Sequence, residues 1–139
     1  MILLDTNVLS ALMRTMPDPA AVRWLDLQEP SEIWTTAISV FEIRFGLARM
    51  AAGRRRHALE SAFADLIAID LAGRIAAVDW AAAEAAGALA AERQAAGRPV
   101  DIRDTLIAGI AIARRAAIAT RNVKHFADLS TPVLNPWAD

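Results

Sequence analysis

The chain has 139 residues, 55 % of them apolar, with a net charge of −1, an isoelectric point near 6.1 and no cysteine. That length suits one domain with its own core, and without cysteine there is no disulfide framework, zinc knuckle or thiol nucleophile. Polar residues interrupt every apolar stretch well before the roughly 18 residues of a membrane span, and no basic and apolar leader precedes Asp5, so a soluble, cytoplasmic protein is expected. Near-neutral charge gives no global field to attract nucleic acid; any RNA contact has to be local. Fourteen arginines stand against the single Lys124. Their planar fork suits phosphate, although coding bias accounts for heavy Arg and Ala usage equally well.

Ile2 to Leu4 reads as a short buried strand, followed by a helix from Thr6 to Arg14 that stops before Pro17-Asp18-Pro19. Pro19 opens a second helix through Trp24 and Leu27, since proline is tolerated in a first turn. The β-branched and aromatic run Ile33 to Thr36 predicts a second strand, and a helix follows from about Ser39 to Met50, broken by Ala52-Gly53. Leu59, Phe63, Leu66 and Ile67 give His57 to Ile69 the spacing of an amphipathic helix. A third strand fits Ile75 to Val78. Trp80 to Gln94 is an alanine-rich helix ending near Gly97, and Arg98-Pro99 forces a loop before Asp101 starts a helix running to Arg115. Ala117 to Thr120 is the fourth strand, and Pro132-Val133-Leu134 supplies an edge strand. Strands alternating with helices imply α/β architecture, a parallel sheet with helices on both faces, and no repeat or linker divides residues 1–139.

Acidic or amide residues stand where apolar stretches give way to helices: Asp5 in LLDTN, Glu42 in SVFEI, Asp104 in DIRDTLIAG and Asn122 in ATRNVKHF. Each has a local explanation. Ser39-x-x-Glu42 matches a capping box, Asp101 and Asp104 match a cap with an acid in the first turn, Asp5-Thr6-Asn7 fits a strand-to-helix turn, and Asn122 fits a cap for a short helix toward Phe126. Jointly they say more, because carboxyl ends of parallel strands face one crevice. Asp101 and Asp104, three apart, share a helix face. Carboxylates about 4 Å apart repel by on the order of 4 kcal/mol at an effective dielectric of 20, so a counter-ion is expected. Mg²⁺ or Mn²⁺ suits oxygen ligands and leaves positions open for phosphate, and metal-activated water hydrolysing a nucleic-acid phosphodiester is the matching chemistry. Nucleotide-binding and serine-hydrolase motifs are absent. The two histidines, His57 and His125, lack metal spacing, the Arg54-Arg55-Arg56 run reads as a solvated helix face, and the four tryptophans read as core or interface fillers.

The segments MILLDTNVLS, SVFEIRFG, DIRDTLIAGIA and ATRNVKHF, with the ending VLNPW, resemble the PIN-domain ribonucleases, most nearly the VapC-type toxins of the FitB-like branch. The resemblance spans Met1 to Trp137. It implies a three-layer α/β/α sandwich, Mg²⁺- or Mn²⁺-dependent endoribonuclease activity on RNA, a homodimer and a cognate VapB-type antitoxin. Asp5, Glu42 and Asp104 match the family's three acidic positions, and Thr6 and Thr120 match supporting hydroxyls. Asn122 stands where many members have a fourth acid, and His125 where an aspartate is common; both departures remove charge, so one firmly held ion is expected. Asn122 is then a metal helper, directly or through water. The alternative is a PIN-like module that binds RNA or protein without cutting. Direct DNA binding is not expected of a near-neutral chain without a helix-turn-helix or basic arm.

Overall fold

In the computed structural model, which describes residues 1–138, five parallel strands form one sheet in the order β3-β2-β1-β4-β5. They are β1 (Ile2–Leu4), β2 (Ile33–Thr36), β3 (Ile75–Ala76), β4 (Ala117–Ala119) and β5 (Val133–Leu134). Among the described residues six α-helices flank them: α1 (Thr6–Met13), α2 (Pro19–Asp26), α3 (Ala37–Arg49), α4 (Arg54–Asp65), α5 (Trp80–Ala95) and α6 (Ile102–Arg114). The expected α/β sandwich is thus present.

Alternation along the strands divides the core. Leu3 is in register with Ile118, and both pack with Leu89, Ile107 and Ile110 of α5 and α6. The next pair, Leu4 and Ala119, points the other way, into Val8, Leu9, Ile43, Leu47 and Phe63 of α1, α3 and α4. Side chains one residue apart on a strand face opposite sides, so three residues of β1 suffice to feed both layers. On one face α5 and α6 touch closely. A Cβ on Gly109 would stand 2.6 Å from both the Ala82 carbonyl oxygen and the Ala86 Cβ, so only glycine admits this approach.

Several boundaries differ from the sequence reading for identifiable reasons. The third strand ends at Ala76 rather than Val78, because its partner β2 runs out at Thr36, where α3 begins. α4 starts at Arg54, after Gly53 turns the chain at φ 155°. It then widens into a π-type turn over Leu66–Asp70, closed by Leu71 N–H donating to the Leu66 carbonyl at 2.9 Å. The extra residue keeps Leu66 and Leu71 buried while Ile69 faces out. α3 starts at Ala37, two residues early, and that shift alters the reading of Glu42.

All strands point one way, so Asp5, Thr36 and Thr120 emerge together at the carboxyl edge of the sheet. The strand order reverses between β1 and β4. A crevice opens at such a reversal, and Asp5 and Thr120 lie beside it.

Candidate active site

Asp5 follows β1 directly and caps α1, its Oδ1 accepting from Thr6 N–H at 2.8 Å. Its own N–H donates to the Ala119 carbonyl at 2.9 Å, which extends the β1–β4 ladder into the site. Oδ2 receives the Thr120 hydroxyl at 2.7 Å and the Asn7 amide at 3.3 Å. The direction of the Thr120 proton is forced. Two N–H groups, from Asn7 at 3.3 Å and the Asn122 backbone at 3.0 Å, already point at that hydroxyl oxygen, so its hydrogen turns to Asp5. Asn7 is oriented in turn by Arg121 N–H, which donates to its Oδ1 at 3.0 Å. Asn7 carries this bracing although the sequence reading gave it only a turn role.

Glu42 is not part of a capping box. The cap of α3 is Thr36, whose Oγ1 accepts from Ser39 N–H at 3.1 Å, and Ser39 is buried inside the helix. Released from capping, Glu42 leaves the second turn toward α1. The Thr6 hydroxyl stands 3.1 Å from both Glu42 Oε1 and Ser39 Oγ. Thr6 and Thr120 therefore each contact a carboxylate.

Asp104 lies in the first turn of α6, and its Oδ2 is 2.7 Å from His125 Nδ1. The pair is braced by a residue the sequence reading passed over. Arg93 of α5 is 3 % exposed and donates to Thr105 Oγ1 at 3.0 Å, to the His125 carbonyl at 2.9 Å and to both oxygens of Asp128 at 2.8 Å. One guanidinium thus fixes the residue after Asp104 and the backbone of its histidine partner.

Asp101 turns out differently from the expectation of a second acid beside Asp104. It caps α6 through Arg103 N–H at 2.8 Å, and its oxygens pair with Arg103 Nε at 3.0 Å and Nη2 at 3.2 Å. Arg103 Nη1 in turn stands 3.6 Å from Glu42 Oε2. Asn122 is exposed and precedes the 3₁₀ turn Val123–Phe126; its side chain makes no capping bond, so the cap expected of it is not formed.

The acids share one field. Burial pushes the Asp5 carboxyl above its ordinary value, against the pull of the Thr120 and Thr6 hydrogen bonds, and the Asp104 charge adds a smaller upward push. Burial raises Glu42 too, opposed by Thr6 and then Arg103, with Asp5 and Asp104 pushing it up further. Repulsion is present but burial is the larger cause in both. Among the described residues no three His, Asp or Glu side chains are gathered tightly enough to grip an ion unaided. The donors nonetheless suit a hard cation that keeps part of its water shell: they are carboxylate oxygens, with no thiolate to favour a softer metal.

A PIN-domain family model matches residues 2–131. The chain belongs to the PIN-domain family. Curated relatives of this PIN domain include a protein named VapC ribonuclease Y4jK from Sinorhizobium fredii, 36 % identical over 99 % of this chain and 98 % of that one. Toxin FitB from Neisseria gonorrhoeae is 32 % identical over the whole of both. A crystal structure of FitAcB from Neisseria gonorrhoeae superimposes with a TM-score of 0.89, covering both chains completely. The PIN domain described here is accordingly a VapC/FitB-type toxin, a group whose expected activity is nucleolytic.

Within this PIN domain Thr6 contacts both Asp5 and Glu42, the Asp104 charge acts on both of those acids, Thr120 holds Asp5, and Asp101 and Asn122 are exposed. Ser39, Asn7, Arg93, Arg103 and the His125–Asp104 contact are the additions. A basic residue immediately before a motif acid was the available signal for Arg103.

Proposed function

We propose that this chain is the toxin of a toxin-antitoxin pair and cuts RNA with Mg²⁺ or Mn²⁺ bound between Asp5, Glu42 and Asp104. The observation that carries the reading is the convergence of Asp5 and Glu42 on Thr6, whose N–H donates to Asp5 Oδ1 at 2.8 Å and whose hydroxyl is 3.1 Å from Glu42 Oε1, with the Asp104 charge acting on both, in a chain 36 % identical to a VapC ribonuclease. The bound ion would supply polarisation of the phosphodiester and activation of water. The protein's own part is positional. Thr120 and Asn7 hold Asp5 Oδ2 and the Thr6 N–H holds its Oδ1, the Thr6 hydroxyl holds Glu42 Oε1, and His125 holds Asp104 Oδ2, so each carboxylate is fixed in orientation.

Residues 1–139 act as one PIN domain in this reading, in the cytoplasm, with a VapB-type antitoxin as partner. Crystallisation of the relative as FitAcB supports an antitoxin partner. No helix among the described residues is long and apolar enough to cross a membrane. Exposed Phe41, Trp80 and Ile102, on α3 and at the starts of α5 and α6, offer apolar surface to a second copy.

The test is cleavage of single-stranded RNA with Mn²⁺ or Mg²⁺ against EDTA, by wild type and by Asp5→Asn, Glu42→Gln and Asp104→Asn. Cleavage lost in EDTA and in each variant is expected. The alternative is a non-cleaving binding module, and RNA retained intact by metal-loaded wild type would select it.

A further inference from the structure

We propose that Arg103 binds the phosphate of the RNA and, before RNA arrives, competes with the metal for Glu42. This rests on the reading of the crevice as a metal-dependent RNase site. Arg103 is the third residue of the Asp101-Ile102-Arg103 start of α6, and Asp101 grips it along one side: Nε on Oδ1 at 3.0 Å, Nη2 on Oδ2 at 3.2 Å. That grip aims the guanidinium. Nη1 faces Glu42 Oε2 at 3.6 Å, beyond hydrogen-bond length, and the charges of both Glu42 and Asp104 act on it. The side chain is 46 % exposed, so it lies at the mouth and not in the floor.

An arginine anchored on one edge with its other donor unsatisfied suits a phosphodiester, whose oxygens accept its N–H groups with charge assistance. Its neighbour Asp104 places any such phosphate beside the acids. Its charge also offsets Glu42 when no cation is there, so removal has two opposite effects. Glu42 becomes more negative in surroundings and attracts a cation more strongly, while the substrate loses a charged contact. A residue that only supports the start of α6 would weaken both together. Asp101 is correspondingly the steering residue, not a metal ligand.

The test measures Mn²⁺ affinity calorimetrically without RNA, and kcat and KM for a single-stranded RNA at saturating Mn²⁺, for wild type, Arg103→Gln, Arg103→Lys and Asp101→Asn. Arg103 is half exposed, so these variants should fold; urea unfolding checks it. Arg103→Gln is expected to bind Mn²⁺ more tightly while losing about tenfold or more in kcat/KM, the loss of a charged hydrogen bond. Arg103→Lys should restore part of kcat/KM and return Mn²⁺ affinity toward wild type. Asp101→Asn should lower kcat/KM without abolishing it. An Arg103→Gln protein with kcat/KM within about twofold of wild type, or with weakened Mn²⁺ binding, overturns the proposal. Wild type that neither binds Mn²⁺ nor cleaves RNA removes the nuclease reading itself, and this inference with it.

Discussion

Arg93 and Asp128 pair through two parallel bonds of 2.8 Å, one from Nε and one from Nη2, with the guanidinium almost wholly buried. The charged hydrogen bond from Arg93 holds the Asp128 carboxyl below its ordinary value. Removing one partner of a buried pair costs about 3–5 kcal/mol, because the rest is left unpaired. Asp128 retains 28 % exposure, so Arg93→Met should lie near the lower end, about 3 kcal/mol by urea unfolding at pH 7. Arg93→Lys keeps the charge but not the fork and should recover only part. An Arg93→Met protein within 1 kcal/mol of wild type, on the order of a single neutral hydrogen bond, would show the network to be dispensable.

The buried Asp5 sets a pH dependence of stability. Its folded-state pKa is raised, so at low pH, where folded and unfolded chains both hold the proton, it costs nothing. As pH rises above about 4 the unfolded chain ionises first, and the folded state is increasingly disfavoured until the raised pKa is passed. Metal-free Asp5→Asn should therefore gain stability relative to wild type as pH rises, with the smallest difference below about pH 4. Denaturant titrations from pH 3 to pH 8, a span of about the acid range, read this out. A flat difference would mean that Asp5 ionises in the fold as easily as in the unfolded chain.

Asn122 is exposed, its backbone N–H donates to the Thr120 hydroxyl that holds Asp5, and its side chain forms no cap. Asn122→Asp would add a negative charge near the crevice, tightening Mn²⁺ binding and lowering the metal concentration for half-maximal cleavage. Asn122→Ala should reduce cleavage less than Asp5→Asn does. Superimposable metal titrations for wild type and Asn122→Asp would take residue 122 out of the metal site.

Gly109 makes the most specific packing prediction. A methyl group there meets the Ala82 carbonyl and the Ala86 backbone and side chain within 3.0 Å, and neither helix has a flexible group that could yield. Gly109→Ala should destabilise the fold by about 1–3 kcal/mol despite alanine's better helix propensity. Unfolding curves coincident with wild type would mean α5 slides freely over α6.

The strand and helix succession was legible because β-branched runs, proline starts and helical apolar spacing are local signals. Asp5, Glu42 and Asp104 stood out as acids beside apolar segments; strand ends account for Asp5 after β1 and for Glu42 in the helix after β2, whereas Asp104 starts a helix that follows α5, so no strand end announced its place. Glu42's setting was not legible. Ser39-x-x-Glu42 fits a capping pattern, and only the observed end of β2 shows that Thr36 takes the cap. Arg93 looked like any polar residue of an alanine-rich helix; its importance comes from Thr105, His125 and Asp128, 12 to 35 residues away. The acidic grip of Asp101 on Arg103 was local, but two acids three residues apart pointed first to a shared face. The π-type turn after α4 had no period of its own to betray it.

Sheet order also governs when Asp5 can be fixed during synthesis. β1 is the middle strand, flanked by β2 and by β4, which is built from residues 117–119. Asp5 is held by the Ala119 carbonyl and the Thr120 hydroxyl, the latter 115 residues later. A nascent chain can display all three acids and still lack the strand that fixes the first of them. Such long-range closure comes late in folding, and until then one edge of β1 stays open for aggregation or proteolysis. A chain that has not yet supplied residues 117–120 therefore carries Asp5 without the carbonyl and hydroxyl that fix it.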